Sequence, residues 1–268
     1  MKQGLTIAGS DSGGGAGIQA DIKTMQAHGV FAASVVTAVT AQNTVEVRGA
    51  VELPLDFIRL QLATVFDDLD ISAAKTGMLS SAGVIETVAG FLSEVNVSNL
   101  VVDPVMISKS GFKLLADDAV AVLRDRLMPL ALVATPNLHE AALLAGFDIE
   151  DVSGMKKAAK KIRQMGPANV IVKGGHAPFA RGTDVLFDGS AFREFAASTV
   201  FAGSVHGTGC TFSAAIAARL ALGETVAEAI ENAKTYITRA IEHQLDIGTG
   251  HGPGHHFYFI TPSDFRKR

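Results

Sequence analysis

A run of small residues, Ala202-Gly203-Ser204-Val205-His206-Gly207-Thr208-Gly209-Cys210-Thr211, leads straight into 212–222, a stretch of strong helix formers with an apolar stripe. The first N–H groups of a helix lack intrahelical partners and the macrodipole adds partial positive charge, so glycines there let an anion come close to the backbone. The chemistry on offer is phosphate binding, with a thiol beside it at Cys210. A tight turn made by Gly207 and Gly209 is the plainer reading, and this stretch alone leaves it open. A second such turn, Gly9-Ser10-Asp11-Ser12-Gly13-Gly14-Gly15-Ala16-Gly17, follows an apolar run and also opens a helix. Three polar clusters complete the set: Asp103-Pro104-Val105-Met106, Thr135-Pro136-Asn137-Leu138-His139-Glu140 and Lys173-Gly174-Gly175-His176. Each has a bland alternative, namely a strand-end cap at Asp103, a capping arrangement for Asn137 with Glu140, and a solvated charge at Lys173.

Several known signatures fail here. Gly15-Ala16-Gly17-Ile18-Gln19-Ala20 satisfies a dinucleotide fingerprint, but 33–43 holds no Asp or Glu for a ribose, which demotes a dehydrogenase. No Gly-Lys dipeptide exists for a P-loop. Ile216 stands where a cysteine phosphatase would want arginine, and no nucleophile elbow surrounds Ser10, Ser12 or Ser204.

The elements that must position these residues follow from the pattern. Short apolar runs at 5–8, 33–39, 73–76, 100–102, 132–134 and 170–172 alternate with amphipathic stretches at 18–28, 55–66, 83–94, 117–127, 138–145 and 155–165. That alternation predicts an α/β fold with a mostly parallel central sheet and helices on both faces. Runs at 185–187 and 192–195 around Asp188-Gly189-Ser190 predict a late β-hairpin, and 226–244 a last long helix. With no repeat, linker or composition shift, 1–268 reads as a single domain. In such sheets ligands bind outside the carboxyl ends of the strands, and all three polar clusters fall on that edge.

The chain totals exclude other classes. A length of 268 residues with 48% hydrophobic and 19% charged residues fits a globular enzyme. A net charge of −4 gives no basic footprint for nucleic acid. The single cysteine excludes an intramolecular disulfide and any multi-cysteine metal cluster. No apolar stretch approaches the roughly 18 residues of a membrane span, and no signal peptide is evident, so the expected location is cytoplasmic. His251, His255 and His256 in the tail suggest a metal or, more simply, a packed tail.

Together with Thr40-Ala41-Gln42-Asn43-Thr44 and Lys75-Thr76-Gly77-Met78-Leu79, these motifs resemble, in order from residue 4 to His256, the hydroxymethylpyrimidine/phosphomethylpyrimidine kinases of thiamine biosynthesis. The resemblance implies a ribokinase-like fold and two successive ATP-dependent phosphorylations, of 4-amino-5-hydroxymethyl-2-methylpyrimidine and then of its monophosphate. It places Gln42 on the pyrimidine, with Gly9, Asp11, Ala16, Thr40, Met78 and Val105 around the ring. A carboxamide offers donors and an acceptor to match an aminopyrimidine edge. It makes Gly207, Thr208, Gly209 and the Cys210 amide an anion hole, sets Lys173 against the ATP phosphates, and gives Asn137 and Glu140 to Mg²⁺, with Asp103 a further candidate there. It also implies a homodimer with a small-molecule substrate and neither nucleic acid nor membrane as partner.

The family pattern puts a thiol where many ribokinase relatives carry an aspartate base. A helix N-terminus lowers a cysteine pKa, whereas a nearby triphosphate raises it, and Cys210 is expected to be the base for the first hydroxyl. Two departures stand out: Ser204-Val205 replaces an expected Asn-Thr, and Gly13 an expected Ser. The turn Lys109-Ser110-Gly111 resembles the family's mobile flap. A pyridoxal kinase on the same scaffold, and a non-catalytic ligand-binding relative, are the competing readings.

Overall fold

Strands covered on both faces by helices read as unbroken apolar runs, and Leu5-Thr6-Ile7-Ala8 is such a run with no side chain exposed. It forms the middle of β1 (Gln3–Asp11), the strand around which a computed structural model of the protein is built. Residues 1–106, 114–116, 118–175, 177–180, 182–198 and 205–260 are described. Lys109-Ser110-Gly111, the opening of the helix expected from 117, His176 and Ala202-Gly203-Ser204 lie outside the described residues.

After β1 come α1 (Gly17–Ala27), β2 (Phe31–Gln42), β3 (Val47–Glu52), α2 (Leu55–Asp68), β4 (Ile71–Thr76), α3 (Ala82–Val95) and β5 (Leu100–Val102). The second half holds α4 (Ala119–Val122), β6 (Val133–Ala134), α5 (Leu138–Ala145), α6 (Val152–Arg163), β7 (Asn169–Val172), β8 (Thr183–Phe187), β9 (Phe192–Ala196), α7 (Thr208–Ala221) and α8 (Val226–Glu242). The strands form one sheet in the order β3-β2-β1-β4-β5-β6-β7-β8-β9. From β2 to β7 neighbours are parallel; β3, β8 and β9 join antiparallel. The expected α/β fold and its late hairpin are both present. Among the described residues no helix is long and apolar enough to cross a membrane.

The two-residue period of the strands divides the core. Ala74, Leu100, Val102, Ala134, Val170 and Val172 face α2, α3, α5 and α6, whereas Ala73, Val101, Val133 and Ile171 face α1, α7 and α8. Chain order reverses between β1 and β4, so their carboxyl ends flank the crevice where ligands of open α/β sheets bind.

Three local expectations differ. β3 was not foreseen, because Val47-Arg48-Gly49-Ala50-Val51-Glu52 is a mostly exposed edge strand with no buried stripe to read. The helix expected over 117–127 is α4 followed by a π-helical turn, Leu123–Leu127, and a 3₁₀ turn, Met128–Leu130, containing Pro129, which has no N–H to continue the ladder. α7 starts at Thr208 rather than at Phe212.

Lys75, on the α7 side of β4, is the largest fully buried side chain among the described residues. Its ammonium lies 3.0 and 2.8 Å from the two Asp21 oxygens, and Thr6 Oγ1 donates to Asp21 Oδ2 at 2.6 Å. Burial works against the Lys75 charge, but Asp21 and the nearby Asp103 outweigh it and raise the pKa above its ordinary value. Removing one partner of a buried pair leaves an uncompensated charge, a loss of about 3–5 kcal/mol. Lys75→Met should therefore lower the unfolding free energy measured in urea titrations by that amount, and adding Asp21→Asn should restore at least half of it.

Candidate active site

β1 ends at Asp11, whose carboxylate folds the following turn around itself. It accepts from the Gly13 and Ala16 amides at 2.8 Å and from the Gly15 amide at 3.1 Å. Burial alone would raise the Asp11 pKa; bonds from His206, Ala16 and Gly13 outweigh it and hold the carboxyl below its ordinary value. Thr40 and Gln42 lie on the last residues of β2 and reach the same turn, with Thr40 Oγ1 donating to the Ser10 carbonyl at 3.0 Å.

The opposite wall is the N-terminus of α7. Gly207 is its N-cap with φ +76°, and a Cβ there would run into the Gly15 carbonyl. The two glycine-rich turns are thus in contact backbone to backbone, which a side chain at Gly207 would prevent; a Cβ on Gly15 would instead meet the His206 ring. Thr208, Gly209 and Cys210 are the first helical residues, so their N–H groups precede the intrahelical ladder.

Lys173, at the end of β7, is no solvated charge. Its Nζ donates to Asp103 Oδ1 at 2.9 Å, and a Cβ on Gly209 would stand 3.4 Å from that ammonium. Asp103 is further held by Thr135 Oγ1 on Oδ1 at 3.0 Å and Ser213 Oγ on Oδ2 at 3.2 Å. Asn137 and Glu140 do form the capping box: Asn137 Oδ1 accepts from the Glu140 amide at 2.9 Å, and Glu140 Oε2 from the Asn137 amide at 2.8 Å. Burial pushes Glu140 up to about 7, with Lys173 opposing and Asp103 adding to the rise. Capping and lining the site are therefore not alternatives for this pair.

One cavity of about 500 Å³ joins both walls. Gly9, Asp11, Ala16, Thr40, Gln42, Met78 and Val105 line it together with Asp103, Asn137, Glu140, Lys173, Gly207, Thr208, Gly209 and Cys210. Every candidate site residue is brought to it. His206, which the sequence placed in a motif without a role, also lines it, and its Nε2 lies 2.9 Å from Asp11 Oδ2. A second cavity of about 240 Å³ shares Asn137, Lys173, Thr208 and Gly209 and runs on to Asp184, Lys234 and Ile241. Asp184 and Lys234 form an ion pair of 2.6 Å, with the Gly174 amide donating to Asp184 Oδ1 at 3.0 Å. No local motif announces these two residues. The histidine tail is packed: the His251 amide donates to the Thr44 carbonyl, the Gly252 carbonyl accepts from His206 N–H, and buried His256 meets Thr211 Oγ1 at 3.1 Å.

A profile of the family described as phosphomethylpyrimidine kinase matches residues 11–255. The chain belongs to that family. Hydroxymethylpyrimidine/phosphomethylpyrimidine kinase of Bacillus subtilis is 48% identical over 260 residues, covering 97% of this chain and 96% of the relative. Thiamine biosynthesis bifunctional protein ThiED of Geobacter sulfurreducens is 47% identical over 98% of this chain, which spans about half, 54%, of that longer protein. Among solved structures, an ADP complex of Bacillus subtilis pyridoxal kinase superposes with a TM-score of 0.89 at 40% identity, over 97% of this chain and 98% of the other.

The structure corrects one expectation about this kinase. Cys210 sits at a helix N-terminus, yet burial dominates and pushes its thiol up to about 11. Lys75 and a bond from the Gly17 amide oppose the rise, and Asp21 and Asp103 add to it. The direction is thus opposite to the lowering expected from the N-terminus alone. The kinase's hard oxygen donors, Asp103, Glu140 and Asn137, line one cavity. That set fits Mg²⁺, which is held through one or two carboxylates plus substrate phosphates rather than in an all-protein cage. Among the described residues there is no group of three His, Cys, Asp or Glu that could hold a metal ion.

Proposed function

We propose that the protein transfers the γ-phosphoryl group of ATP to the hydroxymethyl oxygen of 4-amino-5-hydroxymethyl-2-methylpyrimidine, and then to the phosphate of that product. The observation that carries this is the shared cavity: Gln42 and the ring-lining residues open onto the same space as Lys173 and the α7 N-terminus. The acceptor oxygen bonds to Pγ, the bond from Pγ to the bridging oxygen breaks, ADP leaves, and the hydroxyl proton is released. Positioning and charge neutralisation supply most of the catalysis in such transfers. The amides of Thr208, Gly209 and Cys210 face the developing negative charge, and Lys173 neutralises phosphate oxygens. Glu140, Asp103 and Asn137 would hold Mg²⁺ partly through water, and the bound ion supplies further neutralisation. The second cavity, which shares Lys173 and Gly209 with the first, is the place this reading assigns to the nucleoside. The reading includes a cytoplasmic setting and a homodimer; Val51, Phe57 and Leu60, each at least half exposed, offer apolar surface for a second copy.

Cys210 serves as a base only as a minority thiolate, about one molecule in 10⁴ at pH 7 for a thiol titrating near 11. With Cys210 as base, the single-turnover rate of the first step should rise about tenfold per pH unit from 7 to 9, following the thiolate fraction. Cys210→Ala should flatten that rise while sparing the second step, whose phosphate acceptor is already ionised. Equal losses in both steps would remove Cys210 from proton transfer.

Pyridoxal is the second acceptor to test, because the fold superposes so closely on a pyridoxal kinase. Mass spectrometry after incubation with Mg-ATP and each acceptor separately decides. Mono- and diphosphate from the pyrimidine establish the proposal; pyridoxal phosphate alone keeps the phosphoryl site and overturns the acceptor.

A further inference from the structure

The neighbours of the Gln42 carboxamide determine which way it faces. Its Nε2 position lies 3.1 Å from His206 Nε2, and its Oε1 position 3.2 Å from Thr40 Oγ1. His206 Nε2 is also 2.9 Å from Asp11 Oδ2. The Asp11 carboxylate accepts from the Gly13 amide on Oδ1 and from the Gly15 and Ala16 amides on Oδ2, an arrangement built for an ionised group that only accepts. His206 Nε2 must therefore carry a proton, on the neutral or the charged ring. A protonated ring nitrogen has no lone pair for an NH₂ group. Thr40 makes the same demand from the other side, because its one hydroxyl proton goes to the Ser10 carbonyl at 3.0 Å and leaves lone pairs toward Gln42. Turning the carboxamide by half a rotation satisfies every group. Its carbonyl then accepts from His206, which shares its proton with Asp11, and its NH₂ donates to Thr40. The two settings have the same shape, and only their partners distinguish them.

Building on the pyrimidine reading above, we propose that His206, held by Asp11, is a specificity-determining residue that fixes the orientation of the Gln42 carboxamide. One lone pair on the His206 side and one N–H on the Thr40 side remain for the acceptor. A ring must then present an exocyclic amine donor beside a ring-nitrogen acceptor, in that order. A ring carrying a carbonyl beside a ring N–H has the opposite pattern and is refused, unless the carboxamide is free to turn. His206 is suited to the task because its backbone is itself fixed: its N–H donates to the Gly252 carbonyl at 3.0 Å, and it directly precedes the Gly207 cap.

The test compares kcat/KM for 4-amino-5-hydroxymethyl-2-methylpyrimidine and for its 4-oxo counterpart in wild type, His206→Ala and His206→Gln. Wild type should prefer the amino ring by about 100-fold or more, since a site built to hydrogen-bond a substrate leaves its own groups unpaired on the wrong one. Both variants should narrow that preference at least about tenfold, through KM for the 4-oxo ring more than through kcat. An unchanged preference in both variants overturns the proposal. The imidazole ¹⁵N shifts of His206 in the ligand-free wild type provide a readout independent of any variant or substrate. A protonated Nε2 supports the assignment, and an unprotonated Nε2 overturns it. Absence of turnover of either ring by wild type counts against the pyrimidine reading, while the ¹⁵N measurement still decides the carboxamide orientation.

Discussion

Gly207→Ala should reduce kcat for both phosphorylations by at least about 10²–10³, the cost of losing a single oxyanion donor in comparable sites. Gly207 has φ +76°, where a side chain is strained, and its Cβ would run into the Gly15 carbonyl. The start of α7 must then shift away from the β1–α1 turn, carrying the Thr208, Gly209 and Cys210 amides with it. A displacement of about 1 Å is enough to cost 10²-fold in a reaction that depends on positioning. Gly223→Ala is the control: its φ is +93° but no atom lies within 4 Å of the added Cβ, so it tests backbone strain without the clash. It should lower the urea midpoint and leave kcat near wild type. Wild-type kcat in Gly207→Ala would show that the α7 N-terminus does not hold the transferred group.

Lys173→Met should reduce kcat by a similar 10²–10³-fold, because it removes the cation beside Gly209. KM for the pyrimidine should change only a few-fold, since Gln42 and its partners are untouched. Arginine should rescue poorly, as its planar fork differs from a compact ammonium. The same substitution carries a stability signature. Burial raises the Asp103 pKa, but Lys173 and Lys75 outweigh it and bring it below its ordinary value. A carboxyl with a lowered folded pKa contributes stability that is present above its unfolded pKa, near 3.9, and lost as pH falls through the folded value. Destabilisation by Lys173→Met should therefore be large at pH 7 and shrink below about pH 4. Urea titrations at both pH values check it; a pH-independent loss would mean that packing, not charge, couples Lys173 to Asp103.

Features that depend on near neighbours in the chain were readable from the residues alone. α5 begins and ends where expected, at Leu138–Ala145, because its Asn137–Glu140 capping box and the left-handed Gly146 that stops it are both local. The unbroken apolar run of β5, Leu100–Val102, is likewise self-evident. The two glycine-rich turns and the three polar clusters were legible as one edge of the sheet because they sit at helix starts and strand ends, whereas Thr40, Gln42 and Met78 were singled out only by the family resemblance. Contacts between distant segments decided the rest. α7 begins at Thr208 because the β1–α1 turn and the Gly207 cap meet across the crevice, and no local propensity shows that meeting. Lys75 and Lys173 look like ordinary charged residues until Asp21 and Asp103 are brought to them by other elements. For Cys210 the local signal and the tertiary one oppose each other: the helix dipole is visible in the chain, whereas the desolvation that raises the thiol arises only once distant segments form the cavity wall in which it sits.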